Sequence, residues 1–164
     1  IYSIAVSLRD LGMTMAPQNA FQTLLGLETL SLRMKKHVSN SIKIANWLEK
    51  HPKIEKVTYA GLKSSQYFNT AKSILPKGAG ALFTISLKDG YEACMKMISK
   101  LNLFSHVSNL GDTRSLIIHP ASTVHRQLTE EQQKNAGLAP NVIRLSIGIE
   151  DPKDLINDLR NALE

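Results

Sequence analysis

The chain has 164 residues, 43% hydrophobic and 21% charged, with a formal net charge of +6 and a single cysteine. These proportions are those of a soluble globular protein, and a domain near this length buries roughly 70% of its unfolded surface, enough for a hydrophobic core. No apolar run approaches the roughly 20 residues that span a bilayer, no basic stretch leads into an apolar signal-peptide core, and one cysteine excludes an internal disulfide.

The chain opens on Ile1, Ile4, Ala5, Leu8 and Leu11 at helical spacing, without an initiator Met. It therefore reads as starting inside an amphipathic helix, at a cut end. Pro17 suits the first turn of a helix. Phe21, Leu24, Leu25, Leu32, Val38, Ile42, Ala45 and Leu48 continue an apolar stripe up to His51-Pro52, where the proline disfavours a helical residue before it. Residues 17–50 are predicted as one helix, bent near Gly26. It would be about 50 Å long, against a radius of gyration of about 15 Å for a compact domain of this size. Such a helix either breaks or reaches beyond its own domain. The division expected is 1–51, the end of a large domain with a connecting helix, and 52–164, a small C-terminal domain.

Beyond Pro52 the pattern alternates. Val57 to Tyr59 reads as a short strand and 64–75 as a loop with a short helix. Pro76 to Gly80 forms a turn. Ala81, Phe83, Ile85 and Leu87 alternate with Leu82, Thr84 and Ser86, a strand. Tyr91 to Leu101 is a helix, Phe104 to Val107 and Ser115 to His119 are strands, and Asn109 to Asp112 looks like a tight turn between them. Thr129 to Gln132 is a capping box and Gly137 a helix stop. Ile143 to Ile147 is the last strand, and Asp151-Pro152 opens a final helix burying Leu155, Ile156, Leu159, Ala162 and Leu163. About five short strands with helices between and after them give an α+β sandwich, one mostly antiparallel sheet with helices on one face.

Few residues carry a chemical signal of their own. On the last strand Ile143, Leu145 and Ile147 point one way and Arg144, Ser146 and Gly148 the other. An arginine among small neighbours could grip a carboxylate through two parallel hydrogen bonds. It could equally lie on a solvated sheet face or pair with an acid such as Glu150. The turn at Asn109 offers an amide and backbone N–H groups at a cleft edge, or it simply turns the chain. His119 and His125 are too far apart in sequence for a zinc pair, and no further ligands accompany them, so no metal is expected. Cys94 follows Glu92-Ala93 in a predicted helix and reads as a small core residue rather than a nucleophile. The lysines are scattered, and the cluster Arg33, Lys35, Lys36 has no aromatic neighbour. A solvated surface is expected, with neither nucleic acid nor membrane as partner.

Three long segments carry more. FSHVSNLGDTRSLIIHPASTVH from Phe104, IRLSIGIEDPKDLINDL from Ile143 and PQNAFQTLLGLETLSLRMKKH from Pro17 resemble, in order, stretches shared by the Cys/Met-metabolism pyridoxal-phosphate (PLP) enzymes. LFSHVSNLGDTRSLIIHPAST and LPKGAGALFTISLKDGYEA are most similar to the O-acetylhomoserine sulfhydrylases of that family. The resemblance implies the C-terminal small domain of an aminotransferase-type (fold type I) enzyme, in which PLP is bound by an N-terminal domain not present here. It implies that Arg144 binds the substrate α-carboxylate and that Asn109, where relatives usually have Ser, contributes to the same pocket. Thr123-Val124-His125 departs from the usual Thr-Thr-His, which puts a hydroxyl contact at Val124 in doubt. None of the lysines sits in the family's Ser-x-Thr-Lys context, so the resemblance implies no catalytic and no cofactor-binding residue in this chain. The implied reaction of the whole enzyme uses PLP as an electron sink and replaces the acetate of O-acetylhomoserine with sulfide or a thiol. A cytoplasmic homotetramer is the implied setting. Cystathionine synthases and lyases and methionine γ-lyase are the family alternatives, and a non-catalytic assembly module of the same fold is the other.

Overall fold

The computed structural model describes residues 1–164, the side chains of Glu130 and Lys134 excepted. The chain divides into two compact units, Ile1–Leu32 and Arg33–Glu164. The first holds a π-helical segment, Ser3–Asp10, and helix α1, Pro17–Glu28. Apolar spacing predicts the helix at 3–10 but not its wider winding, which shows in the Leu11 N–H donating to Val6 O, five residues back, at 2.9 Å. Pro17 occupies the first turn of α1 as predicted. No residue of either segment is buried.

The continuous helix expected over 17–50 is interrupted at Thr29, whose φ of −100° and ψ of 0° leave the helical basin. Gly26 stays helical. A β-branched residue gives up more side-chain freedom in a helix than a straight-chain one, which makes threonine a readier point of interruption than its neighbours. Helix α2, Leu30–Leu48, follows and buries His37, Asn40, Ser41, Ile44, Ala45 and Leu48. These lie on one face at three- and four-residue spacing. The predicted apolar stripe is only partly this face: Ala45 and Leu48 belong to it, whereas Phe21, Leu24, Leu25, Leu32 and Ile42 are exposed.

In the second unit five strands form one sheet: β1, Ile54–Thr58; β2, Leu82–Leu87; β3, Ser105–His106; β4, Leu116–Ile118; and β5, Val142–Ser146. Their order is β1-β2-β5-β4-β3. All neighbours are antiparallel except β3 and β4, which run parallel. Helices α3, Phe68–Ile74; α4, Gly90–Lys100; α5, Glu130–Asn135; and α6, Pro152–Leu163, complete the unit. The α+β architecture predicted from the alternation is the one observed.

The core forms where the inward side chains of β2 and β5 meet helices α2, α4 and α6. Phe83, Ile85 and Leu87 join Ile143, Leu145 and Ile147, and these pack with Ile44, Leu48, Cys94, Met97, Leu155 and Leu159 in one cluster. Each large aliphatic side chain buried this way contributes roughly 1.5–3 kcal/mol. Cys94 is part of the core, as expected. Caps fix the helix ends. Asp151 accepts from Lys153 N–H at the start of α6, and Thr129 and Gln132 exchange hydrogen bonds of 2.9 and 3.3 Å at the start of α5. On α6 the buried Asp158 accepts from the backbone N–H groups of Asn102, Leu103 and Phe104, holding the chain where α4 gives way to β3.

The parallel pairing of β3 and β4 corrects one expectation. A tight turn reverses the chain and can only join antiparallel neighbours, whereas parallel strands need a longer return path. The segment 107–115, which includes Asn109 to Asp112, is therefore an excursion beyond the sheet.

Candidate functional site

Register decides what surrounds Arg144. On β5 it lies opposite Thr84 of β2 on one side and Ile118 of β4 on the other, with Ser146 next along its own face. Towards β4 this face is covered, with Leu116, Ile118, Val142 and Ser146 buried and Arg144 half-buried, while on β2 Thr84 and Ser86 are half-buried and Leu82 is exposed. The Arg144 Nη2–H donates to Asn109 O in a long hydrogen bond of 3.4 Å. Its Nε–H is buried with no partner among the described residues. No ion pair joins Arg144 to an acidic side chain among the described residues. Burial pulls the guanidinium down from its ordinary value, but from so high a starting point it stays charged near neutral pH. The structure thus brings together Arg144 and Asn109, which the sequence singles out separately.

The alternative partner for Arg144, Glu150, is engaged elsewhere. Its Oε1 accepts from Ser115 N–H at 2.6 Å and its Oε2 from the Ser115 hydroxyl at 2.9 Å. The Ser115 Oγ accepts in turn from Gly148 N–H at 2.8 Å, and Ile149 N–H donates to Thr113 O at 2.9 Å. Gly148 has to be glycine, because a Cβ there would run into Thr113 O, the Arg114 backbone and the Glu150 carboxylate. From the other side, the Asn40 amide donates to Gly148 O at 3.1 Å and to Glu150 O at 2.8 Å. The His37 Nδ1–H donates to Ile147 O at 2.6 Å. Sequence reasoning missed this set. The polar residues at 37, 40 and 41, sharing one face of a helix, are the signal that could have found it.

Asn109 does not turn its amide to Arg144: its Oδ1 accepts from Leu110 N–H at 2.8 Å. Next to it, the Asp112 carboxylate accepts from the Arg114 guanidinium and the Arg114 N–H, and these hydrogen bonds hold its carboxyl below the usual carboxylate range. Of the histidines singled out, His119 has both ring nitrogens in use. Its Nε2–H donates to Pro140 O at 2.8 Å, and its Nδ1 accepts from the Ser122 hydroxyl at 2.8 Å. Thr123 donates its hydroxyl to His119 O, and Val124 is exposed.

The sequence matches the profile of the Cys/Met metabolism PLP-dependent enzymes over residues 2–164. The chain belongs to that family. O-acetyl-L-homoserine sulfhydrylase 1 of Thermus thermophilus is 46% identical to it over 156 residues, 95% of this chain and 37% of the relative. L-methionine gamma-lyase of Fusobacterium nucleatum is 41% identical, over 97% of this chain and 40% of the relative. Among solved structures, a putative O-acetylhomoserine (thiol)-lyase of Campylobacter jejuni, which carries a pyridoxyl-lysine, superposes with a TM-score of 0.90 at 47% identity. That match covers 99% of this chain and 38% of the other. The chain thus spans little more than a third of the length of these family members.

Members of this family depend on PLP, and a PLP lysine needs a position in a pocket where its amine can meet the aldehyde. Every lysine side chain described in this chain is exposed on the surface.

Proposed function

We propose that this chain is the C-terminal portion of a PLP-dependent transferase that displaces acetate from the γ carbon of O-acetylhomoserine with sulfide or a thiol, giving homocysteine or methionine. In this reading the small domain grips the substrate and the remainder of the enzyme holds PLP, so the chain alone is inactive. The residues Ile4, Leu8, Phe21, Leu24, Leu25 and Leu32, all exposed, support a division in which the first unit, Ile1–Leu32, packs against that remainder.

The observation that carries the reading is the buried Arg144 Nε–H without a partner. A buried, unmatched donor costs roughly 1–3 kcal/mol, more when it is charged, and a ligand oxygen that fills it recovers that cost. A carboxylate offers two oxygens at the spacing of the guanidinium fork. Arg144 thus anchors the substrate α-carboxylate, with Asn109 at the rim of the same pocket, and so fixes the orientation of the α C–H bond. The expected outcome is that Arg144→Ala in the full-length enzyme raises KM for O-acetyl-L-homoserine by about 100-fold, in line with two charge-assisted hydrogen bonds, while the PLP absorbance is retained. An unchanged KM and turnover would sink the assignment.

The 41% identity to a methionine γ-lyase favours elimination from methionine as the second reading. Release of methanethiol, ammonia and 2-oxobutanoate from methionine, with no sulfide-dependent consumption of O-acetylhomoserine, would select it.

A further inference from the structure

We infer that Glu150 is a positioning residue for the carboxylate pocket: by clamping Ser115 it sets where the Asn109 segment lies over Arg144. The inference rests on the reading of Arg144 as the carboxylate anchor. Because β3 and β4 are parallel, the segment between them is not held by a hairpin ladder, and its placement depends on how its ends are tied. Its far end is tied by one carboxylate. Both oxygens of Glu150 are spent on Ser115, one on the backbone N–H and one on the hydroxyl. Ser115 is fully buried, so its N–H would otherwise be an unmatched donor.

The clamp continues through the Ser115 Oγ to Gly148 N–H and through Thr113 O to Ile149 N–H. It therefore ties the segment to the extension of β5, the strand that carries Arg144. At the other end of the segment Asn109 O meets the Arg144 guanidinium. The same arrangement has an electrostatic consequence. A free carboxylate this close along the chain would compete with a substrate for the guanidinium. Two short hydrogen bonds to Ser115 hold it away and leave Arg144 for the ligand.

The test uses the full-length enzyme with Glu150→Ala, Glu150→Gln, Arg144→Ala and the double variant Arg144→Ala/Glu150→Ala. Glu150→Ala is expected to raise KM for O-acetyl-L-homoserine by about tenfold with kcat changed less than about threefold, the signature of lost binding. Glu150→Gln, which keeps an acceptor for the Ser115 N–H, should restore most of the affinity. In the Arg144→Ala background Glu150→Ala should have no further effect on KM, because the two act as one unit. Effects that multiply in the double variant, or equal losses in kcat and kcat/KM, would overturn the inference in favour of general structural damage. If Arg144→Ala raises KM and Glu150→Ala does not, the positioning inference alone fails. If Arg144→Ala leaves KM unchanged, the anchor reading fails and takes this inference with it. Should Glu150→Ala not fold, Ser115→Ala removes the hydroxyl half of the clamp and keeps the backbone half. A KM rise of about threefold that vanishes in the Arg144→Ala background supports the inference, and its absence overturns it.

Discussion

Arg144 and Glu150 lie on one strand and its extension, opposite in charge, yet they do not pair. The sequence places both and leaves the pairing open; the structure assigns Glu150 to Ser115 and leaves Arg144 with an unmatched donor. Gly148 makes that arrangement tight. Gly148→Ala is expected to lower stability by about 2–3 kcal/mol, because the new methyl would meet the Thr113 and Arg114 backbone as well as the Glu150 carboxylate. A shift in the urea midpoint measures this, and a loss below about 0.5 kcal/mol would mean that the 113–115 backbone gives way easily. Cys94 is the simpler case. Burial pushes its thiol up to about 11, so at pH 8 it is almost wholly protonated and shielded. Iodoacetamide should modify it slowly in the native protein and quickly in urea. Since the folded form holds this proton more tightly, the contribution to stability is full below the ordinary thiol value of 9.0 and is lost as pH rises toward about 11.

Among the elements, those with local signals are the ones read correctly from the sequence. The capping box at Thr129, the Asp151-Pro152 start of α6 and the alternation of β2 and β5 each depend on residues a few positions apart. Asp151→Ala should cost about 1 kcal/mol, the usual value of a lost N-cap, read from thermal or urea unfolding. Asp158 belongs to a different class. It sits on the buried side of α6 and accepts from three backbone N–H groups of another segment. Asp158→Asn turns one acceptor into a donor facing donors and should cost about 2 kcal/mol, twice the cap. A loss no greater than that of Asp151→Ala would mean that solvent satisfies those groups. The polar face of α2 was harder to read, because an apolar stripe is the usual mark of a buried helix face. His37 and Asn40 are buried for the carbonyls that they bind.

For the whole molecule, apolar exposure is concentrated in the first unit, where no residue of the π-helical segment or of α1 is buried. If a further portion of the enzyme covers these residues, the chain by itself should associate with rising concentration in sedimentation experiments and bind a hydrophobic dye. A monomer that binds no dye across the micromolar range would count against that division of labour. The sequence by itself determined the element types, the α+β layering, the core faces of β2 and β5, and the family, because these depend on periodicity, caps and long runs of shared residues. It also named Arg144 and Asn109. Only the tertiary structure decided which groups these residues meet: the parallel β3–β4 pair turned an expected tight turn into a long excursion, and the clamp that orders it joins Ser115 to Glu150, 35 residues apart in sequence. A contact at that separation leaves no periodic trace. It depends on the register of the strands that bring the two residues together, and that register is fixed by the packing of the whole sheet.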